Sequence, residues 1–320
     1  MRILAGDIGG TNTRLALFDA DGRLLCPLQK FPSKNYPNLS TIVAEFLSEE
    51  KVDVACFGIA GPIEGGLCRA TNLPWIVDSR ILQEENSIGS VHLINDLLAN
   101  AYGITRLQEG DLLTLHAGDP EKGNKALISP GTGLGEAGMI FVDGAFHPFA
   151  SEGGHVDFAP TNALQEELLH SLRSAFSHVS YQRVLSGPGL ATIYRFLVEK
   201  KSMPPLEKVA SSKNLPEEIT QAAKEKSSPT CVEALQIFVS IYGSEAGNLA
   251  LKFLSLSGMY LGGGIVPHIV DIIKEGAFMR AFCNKGRFHT LLEKIPVRIV
   301  LNDQAALLGA LEYALQKHGL

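Results

Sequence analysis

Eight residues near the start of the chain, Asp7-Ile8-Gly9-Gly10-Thr11-Asn12-Thr13-Arg14, combine an acid, two glycines and short polar side chains. The apolar residues Ile3, Leu4 and Ala5 precede them and Leu15 to Phe18 follow, so the glycines fall at a hairpin tip. Gly9 and Gly10 carry no Cβ and tolerate positive φ, which lets an anion reach the backbone N–H groups. Thr11 and Asn12 add short donors, and Asp7 at the strand end is placed to organise a divalent cation through water. This is phosphate-binding chemistry. A tight hairpin alone explains the glycines, but not the acid before them or the Thr-Asn pair after. The pattern recurs at Pro130-Gly131-Thr132-Gly133-Leu134-Gly135, between the strands predicted at 125–129 and 137–142. A third cluster, Gly262-Gly263-Gly264, follows the apolar run Met259-Tyr260-Leu261 and is expected to open a helix from Ile265 or Pro267. None is the dinucleotide fingerprint or the lysine-bearing phosphate loop. Two phosphate hairpins and a nucleoside-binding turn fit better.

Two further polar groups accompany the glycine loops. Asn95-Asp96 ends a parallel-type strand, where open α/β sheets place ligands. A plain helix cap by Asp96 is one explanation. A carboxylate accepting a hydroxyl proton is another, and a helix N-terminus favours the charged form. In Glu152-Gly153-Gly154-His155-Val156-Asp157-Phe158, an acid and an imidazole flank two glycines, an arrangement able to grip vicinal hydroxyls. A metal would need a third ligand that the neighbouring residues lack, and a hydrogen-bonded core His remains an alternative. Thr71-Asn72-Leu73-Pro74-Trp75 adds amide donors, with Asn72 a candidate sugar contact and Trp75 a default core residue.

The elements that must hold these residues follow from periodicity. A three-stranded meander to Cys26, a helix at 38–49, buried strands at 52–60 and 91–94 and a helix at 97–104 predict a sheet with an antiparallel edge and a parallel centre. The pattern loosens over 105–125. Asn162 and Gln165 read as a capping box for a helix to about 175. Residues 200–230 read as a solvated helical excursion, 230–256 as a long helix or two, 258–262 and 297–301 as strands. Asp303 is expected to cap a last helix that packs back on the first domain. The division expected is a small domain of 1–105 plus 298–320 and a large domain of 106–297.

The 320 residues, 45% hydrophobic and 19% charged, suit one or two ordinary domains, and two is the better expectation. A net charge of −6 without a Lys/Arg run argues against a nucleic-acid surface. Five cysteines, Cys26, Cys56, Cys68, Cys231 and Cys283, lack any C-x-x-C pair and read as reduced thiols. No apolar stretch approaches a bilayer span. The first strand begins at once, leaving no room for a signal peptide, so a cytoplasmic location is expected.

Taken in order, the loops at 7–12, 95–96, 130–135, 152–160 and 262–267, with Arg183-Val184-Leu185-Ser186-Gly187-Pro188-Gly189-Leu190, resemble bacterial-type ATP-dependent glucokinases over nearly the whole chain. That family belongs to the hexokinase and actin-like ATPase superfamily. The resemblance implies an α/β, two-domain actin-like ATPase (ribonuclease-H-like) fold with a cleft between a small and a large domain. It implies ATP and Mg2+ held by Asp7, Gly9, Gly10, Thr11, Asn12, Gly131, Thr132, Gly133, Gly262, Gly263 and Gly264. Asp96 would be the base on the sugar 6-hydroxyl, with Asn95, Glu152 and His155 on other hydroxyls. A homodimer is likewise implied. One departure stands out: where the family has a sugar-contacting glutamate, this chain has Gln182, which loses a charge-assisted acceptor. A kinase for another hexose is therefore the nearest rival. A hexose-sensing regulator would need a DNA-reading module, and an actin-like filament protein gives Asn95-Asp96 and Glu152 no purpose.

Overall fold

A computed structural model describes residues 1–48, 50–206 and 214–319. The end of the first predicted helix at Glu49 and residues 207–213 of the solvated excursion lie outside the described residues. The chain divides into two compact units, Met1–Asp111 with Phe146–Ala150 and Asn302–Leu320, and Leu112–Ala145 with Ser151–Leu301.

The first unit is built on a five-stranded sheet. β1 (Arg2–Ile8), β2 (Asn12–Asp19) and β3 (Leu24–Pro32) form the expected meander, followed by β4 (Val54–Ile59) and, later in the chain, β8 (Ser90–Asn95). The order is β3-β2-β1-β4-β8, antiparallel as far as β1 and parallel across β1, β4 and β8. Every residue of β4 is buried, as a central strand covered on both faces requires. Alternation then sorts the side chains by face. Leu4, Ala55, Phe57 and Ile59 pack beneath α1 (Leu39–Leu47) and α2 (Ser79–Glu85). Ile3, Ala5, Val54 and Cys56 pack with α3 (Asp96–Ile104) and α11 (Ala305–Lys317). The C-terminal helix thus returns to the first unit. A small sheet of β5 (Ile63–Glu64), β6 (Leu67–Arg69) and β7 (Ile76–Asp78) carries the 71–75 loop at its β6–β7 turn. Trp75 in that turn is a core residue, 3% exposed.

The second unit holds the strands β11-β10-β13-β14-β9 of a six-stranded sheet ordered β12-β11-β10-β13-β14-β9, whose edge strand β12 carries residues 146–150 grouped with the first unit. The sheet's strands are β9 (Leu112–His116), β10 (Lys125–Pro130), β11 (Leu134–Val142), β12 (Ala145–Ser151), β13 (Gly258–Leu261) and β14 (Val297–Val300). β9 lies in the stretch where the sequence pattern loosens; its alternation is weak because all five residues are half-buried or exposed. β14 pairs with β13 and β9, so the strand that the division at 298 cuts through belongs entirely to this sheet. The helices are α4 (Ala163–Arg173), α5 (Gly187–Lys200), α6 (Leu215–Lys224), α7 (Pro229–Phe253), α8 (Val270–Lys274), α9 (Ala277–Cys283) and α10 (His289–Lys294). The core centres on α7, whose Ala234, Leu235, Phe238, Ile241 and Tyr242 join Ala126 and Ile128 of β10 and Leu190 and Ile193 of α5.

Three local expectations change. The glycine turn after β13 opens only a single 3-10 turn at Val266–His268, which ends at Ile269 with φ −120° before α8 begins. In the capping box, Asn162 does accept from Gln165 N at 3.0 Å, but Gln165 reaches back to Thr161 N rather than to Asn162. Asp303 does not cap α11. Its carboxylate pairs with Arg14 at 2.8 Å, and Asn302 accepts from Gln304 N instead.

Candidate functional site

In the first unit, the C-terminal ends of β1, β4 and β8 collect most of the polar residues singled out from the sequence. The β1–β2 tip closes through Gly9 N–H donating to Asn12 O at 3.0 Å. Behind it stands Ser33, which is fully buried: its hydroxyl donates to Gly9 O (2.7 Å) and meets the Thr13 hydroxyl (3.0 Å), while its N–H donates to Thr11 O (3.0 Å). This brace fixes the tip from below. Neither Gly9 nor Gly10 uses the positive φ that glycine tolerates. What Gly10 supplies is closeness, since a Cβ there would fall 2.7 Å from the Asn72 Cβ. Asn72 therefore lies against the hairpin tip, and the adjacent Thr71 N–H donates to Ala60 O just past β4.

Asn95 and Asp96 divide their labour. Asn95 is the cap of α3, its Oδ1 accepting from Leu97 N (3.0 Å) and Leu98 N (3.3 Å), and its amide donates to Gly61 O at 3.4 Å. Asp96 is the first helical residue, and its Oδ1 accepts from Leu97 N at 2.9 Å. The cap explanation for Asp96 thus passes to its neighbour. Burial pushes the Asp7 carboxyl up to about 6; the like charges of Asp96 and Asp303 add to this, and the Arg14 guanidinium at 3.4 Å opposes it. Arg14 also donates to Asp303 O at 2.7 Å.

A divalent cation suits this place. The acids Asp7, Asp96 and Asp303 outnumber the one neighbouring arginine, and Asp7 is raised chiefly by burial, with the like charges of Asp96 and Asp303 adding to it. Among the described residues no three His, Cys, Asp or Glu side chains form a ready ligand cage. A magnesium ion needs no such cage, since Mg2+ commonly takes one or two carboxylates and completes its shell with water and phosphate.

In the second unit, the β10–β11 tip closes through Gly131 N–H donating to Gly133 O (2.8 Å), and Gly131 O accepts from Gly187 N at the start of α5 (2.8 Å). Gln182 lies directly beneath. Its Oε1 accepts from Leu134 N at 3.0 Å and would sit 2.7 Å from a Cβ on Gly133. The residue read as a sugar contact thus braces the second glycine loop with its oxygen, and its amide N–H groups are what it can turn elsewhere. The third glycine turn meets the same place: Gly262 N–H donates to Ile128 O (3.0 Å), and Gly263, at φ +89°, lies so close to Pro130 O that a Cβ would be 2.4 Å away. Only glycine fits there.

These loops edge a cleft of about 880 Å3, lined by Gly131, Thr132, Gly264, Ile265, Pro188 and residues of α6 including Gln221. Cβ atoms built on Gly131 or Gly264 would touch nothing within 4 Å. The protein itself therefore gives no steric reason for glycine at either position. Glu152 and His155 stand exposed at the two ends of a 3-10 turn whose glycines are buried. Gly154 abuts Leu134 O, where a Cβ would be 2.2 Å away, and His155 O accepts from the His178 ring at 2.9 Å.

The glucokinase family model matches residues 4–317. The chain belongs to the glucokinase family. A Nostoc punctiforme glucokinase is 40% identical over 96% of this chain and 97% of its own length. A Yersinia enterocolitica glucokinase is 38% identical over 99% and 97%. Among solved structures, a glucokinase from an Antarctic psychrotroph aligns with a TM-score of 0.86 at 32% identity, covering 98% of this chain and 99% of its own. The Streptomyces griseus ROK family glucokinase, solved with glucose and AMPPNP, shares the fold with a TM-score of 0.64 at 21% identity over 99% and 100%. The fold is accordingly the two-domain α/β fold of the actin-like ATPases, and the chain is an ATP-dependent sugar kinase of the glucokinase family.

Proposed function

We propose that this enzyme transfers the γ-phosphoryl group of ATP to the 6-hydroxyl of D-glucose, giving glucose 6-phosphate and ADP, with Asp96 as the general base. The observation that carries the reading is the exchange of roles at the head of α3: Asn95 takes the cap, and Asp96 is held at the C-terminal end of a parallel strand. Glucose is the acceptor favoured by the relatives' names and by the polar residues Asn95 and Asn72 of the first unit and Glu152 and His155 of the second. Gln182 is the reason to test other hexoses, because it offers N–H donors where a glutamate would offer a charged acceptor.

Asp96 draws the proton from the hydroxyl as the oxygen attacks, and the backbone groups at Gly9, Gly10, Thr11 and Asn12 and at Gly131, Thr132 and Gly133 hold the phosphates in line. Positioning and charge stabilisation supply most of the rate in phosphoryl transfer. The turn Gly262, Gly263 and Gly264, whose Gly264 lines the cleft with Ile265, takes the nucleoside against bare backbone. Mg2+ held through Asp7 would neutralise phosphate charge when bound. The two compact units act as the small and large domains. A cytoplasmic homodimer is the assembly that the resemblance implies, and equilibrium sedimentation tests it.

The Asp96→Asn variant tests the base. It should bind glucose and ATP analogue nearly as the parent does, while kcat falls by roughly a hundredfold to ten-thousandfold, the range of a lost general base. Turnover like that of the parent would remove Asp96 from the role.

A further inference from the structure

Behind the 152–155 turn lies a buried polar cluster to which none of the preceding chemistry gives a task. Glu136 of β11 and Glu245 of α7 are both 0% exposed. Their surroundings differ. Glu245 accepts from Asn248 Nδ2 (2.8 Å) and pairs with Lys252 Nζ (3.4 Å). Both oxygens of Glu136 are buried, no donor other than a carboxyl reaches them, and the group the structure sets against it is the Glu245 carboxyl. Two buried acids facing one another cannot both ionise at low cost. The proton belongs on the one with no cation or amide of its own, which is Glu136. Burial first, then the Glu245 charge, push Glu136 up to about 8, with Lys252 opposing.

The placement of Glu136 ties it to the sugar-side turn. A Cβ on Gly153 would lie 2.0 Å from Glu136 Oε2, and Gly154 is packed as tightly on Leu134, two residues earlier on the same strand. Gly153 and Gly154 are therefore seated on β11, and Glu152 and His155 project from the two ends of that seat. The other ionisable groups around the cluster are Lys285, bound to Asn248 Oδ1 at 2.7 Å, and Tyr181, whose hydroxyl accepts from Asn248 at 3.0 Å. On the turn itself are Glu152, His155 and, through His155 O, His178 with its Asp157 partner. Facing Glu136 across the β10–β11 ladder is Ile128, which is apolar.

We infer that Glu136 is a positioning residue for sugar binding: as a neutral acid against Glu245, it holds Gly153 down on β11 and so sets Glu152 and His155. Loss of its proton puts a second charge beside Glu245 in a dry site, and the carboxylate must draw in water past Gly153 to be solvated. The inference rests on the proposed role of Glu152 and His155 at the sugar. It gives the kinase an alkaline loss of glucose affinity with no loss of nucleotide affinity.

The test is the KM for glucose and for ATP between pH 6 and 9 in the parent enzyme and the Glu136→Gln variant, whose amide mimics the neutral acid. In the parent, the glucose KM should rise about tenfold between pH 7 and pH 9, as one required proton lost near pH 8 dictates, with the ATP KM flat. In the Glu136→Gln variant the rise should vanish. The Glu245→Gln variant, lacking the like charge, should show the rise at lower pH, and thermal melts of each variant confirm that it is folded. A glucose KM that stays flat in the parent, or rises equally in the Glu136→Gln variant, overturns the inference while leaving glucose phosphorylation standing. Absence of glucose turnover at every pH overturns both.

Discussion

Gly131 and Gly263 offer opposite reasons for being glycine, and replacing each with alanine separates ligand from fold. At Gly131 the φ is not positive and a Cβ would meet no protein atom within 4 Å. Gly131→Ala should therefore leave stability within about 0.5 kcal/mol of the parent, as for surface substitutions. The new methyl group projects at the edge of the 880 Å3 cleft. If a phosphate lies against the 131–133 backbone, the methyl pushes it off at least one N–H. A lost hydrogen bond to a charged group costs about 1.5–3 kcal/mol. At about 1.36 kcal/mol per tenfold, kcat/KM for ATP should fall roughly 10- to 150-fold. Gly263→Ala is the counterpart: at φ +89°, with Pro130 O only 2.4 Å from the added carbon, it should lower the melting temperature outright. A coupled ADP-release assay and a thermal melt on both variants decide the matter. A Gly131→Ala enzyme with unchanged kcat/KM for ATP would refute the claim that a phosphate occupies that edge.

Two further outcomes follow from buried groups. Ser33→Ala strips the Gly9 carbonyl and the Thr13 hydroxyl of a buried partner, so it should cost about 1–3 kcal/mol in chemical denaturation and raise the ATP KM, because the first glycine tip loses its brace. Glu136 also links stability to pH. Its folded-state value near 8 lies above the ordinary 4.5, so the folded protein holds a proton that the unfolded chain releases. Its contribution is full below about pH 4.5 and declines as pH climbs toward 8, and the Glu136→Gln variant should lack that decline in melts across the range.

Much of this molecule was legible in its residues, for definable reasons. The meander, the parallel centre and the buried β4 are local: continuous apolar runs of strand length ending at glycine or Asn-Asp report themselves. The polar loops were legible because their composition has no packing explanation. What escaped was contact across long sequence separations. Nothing near Ser33 announces a hydroxyl brace for a loop 24 residues earlier. Asp303 reads as a cap from its neighbours, but Arg14, 289 residues away, competes for its carboxylate and wins through charge. Gln182 reads as a sugar contact with a weaker acceptor until its oxygen is found on Leu134 N. Glu136, which opens a run of four buried residues in β11, is an exposed residue by type and a core residue by position. Only the neighbouring Glu245 reconciles the two.

The central claim is glucose phosphorylation at the 6-hydroxyl, and phosphorus NMR of a reaction containing enzyme, ATP, Mg2+ and each of several hexoses tests it most directly. The account predicts a phosphomonoester on C6 of glucose that accumulates in step with ADP and depends on the sugar. ADP released without a sugar phosphate, or a phosphate accepted by another hexose and refused by glucose, would contradict it.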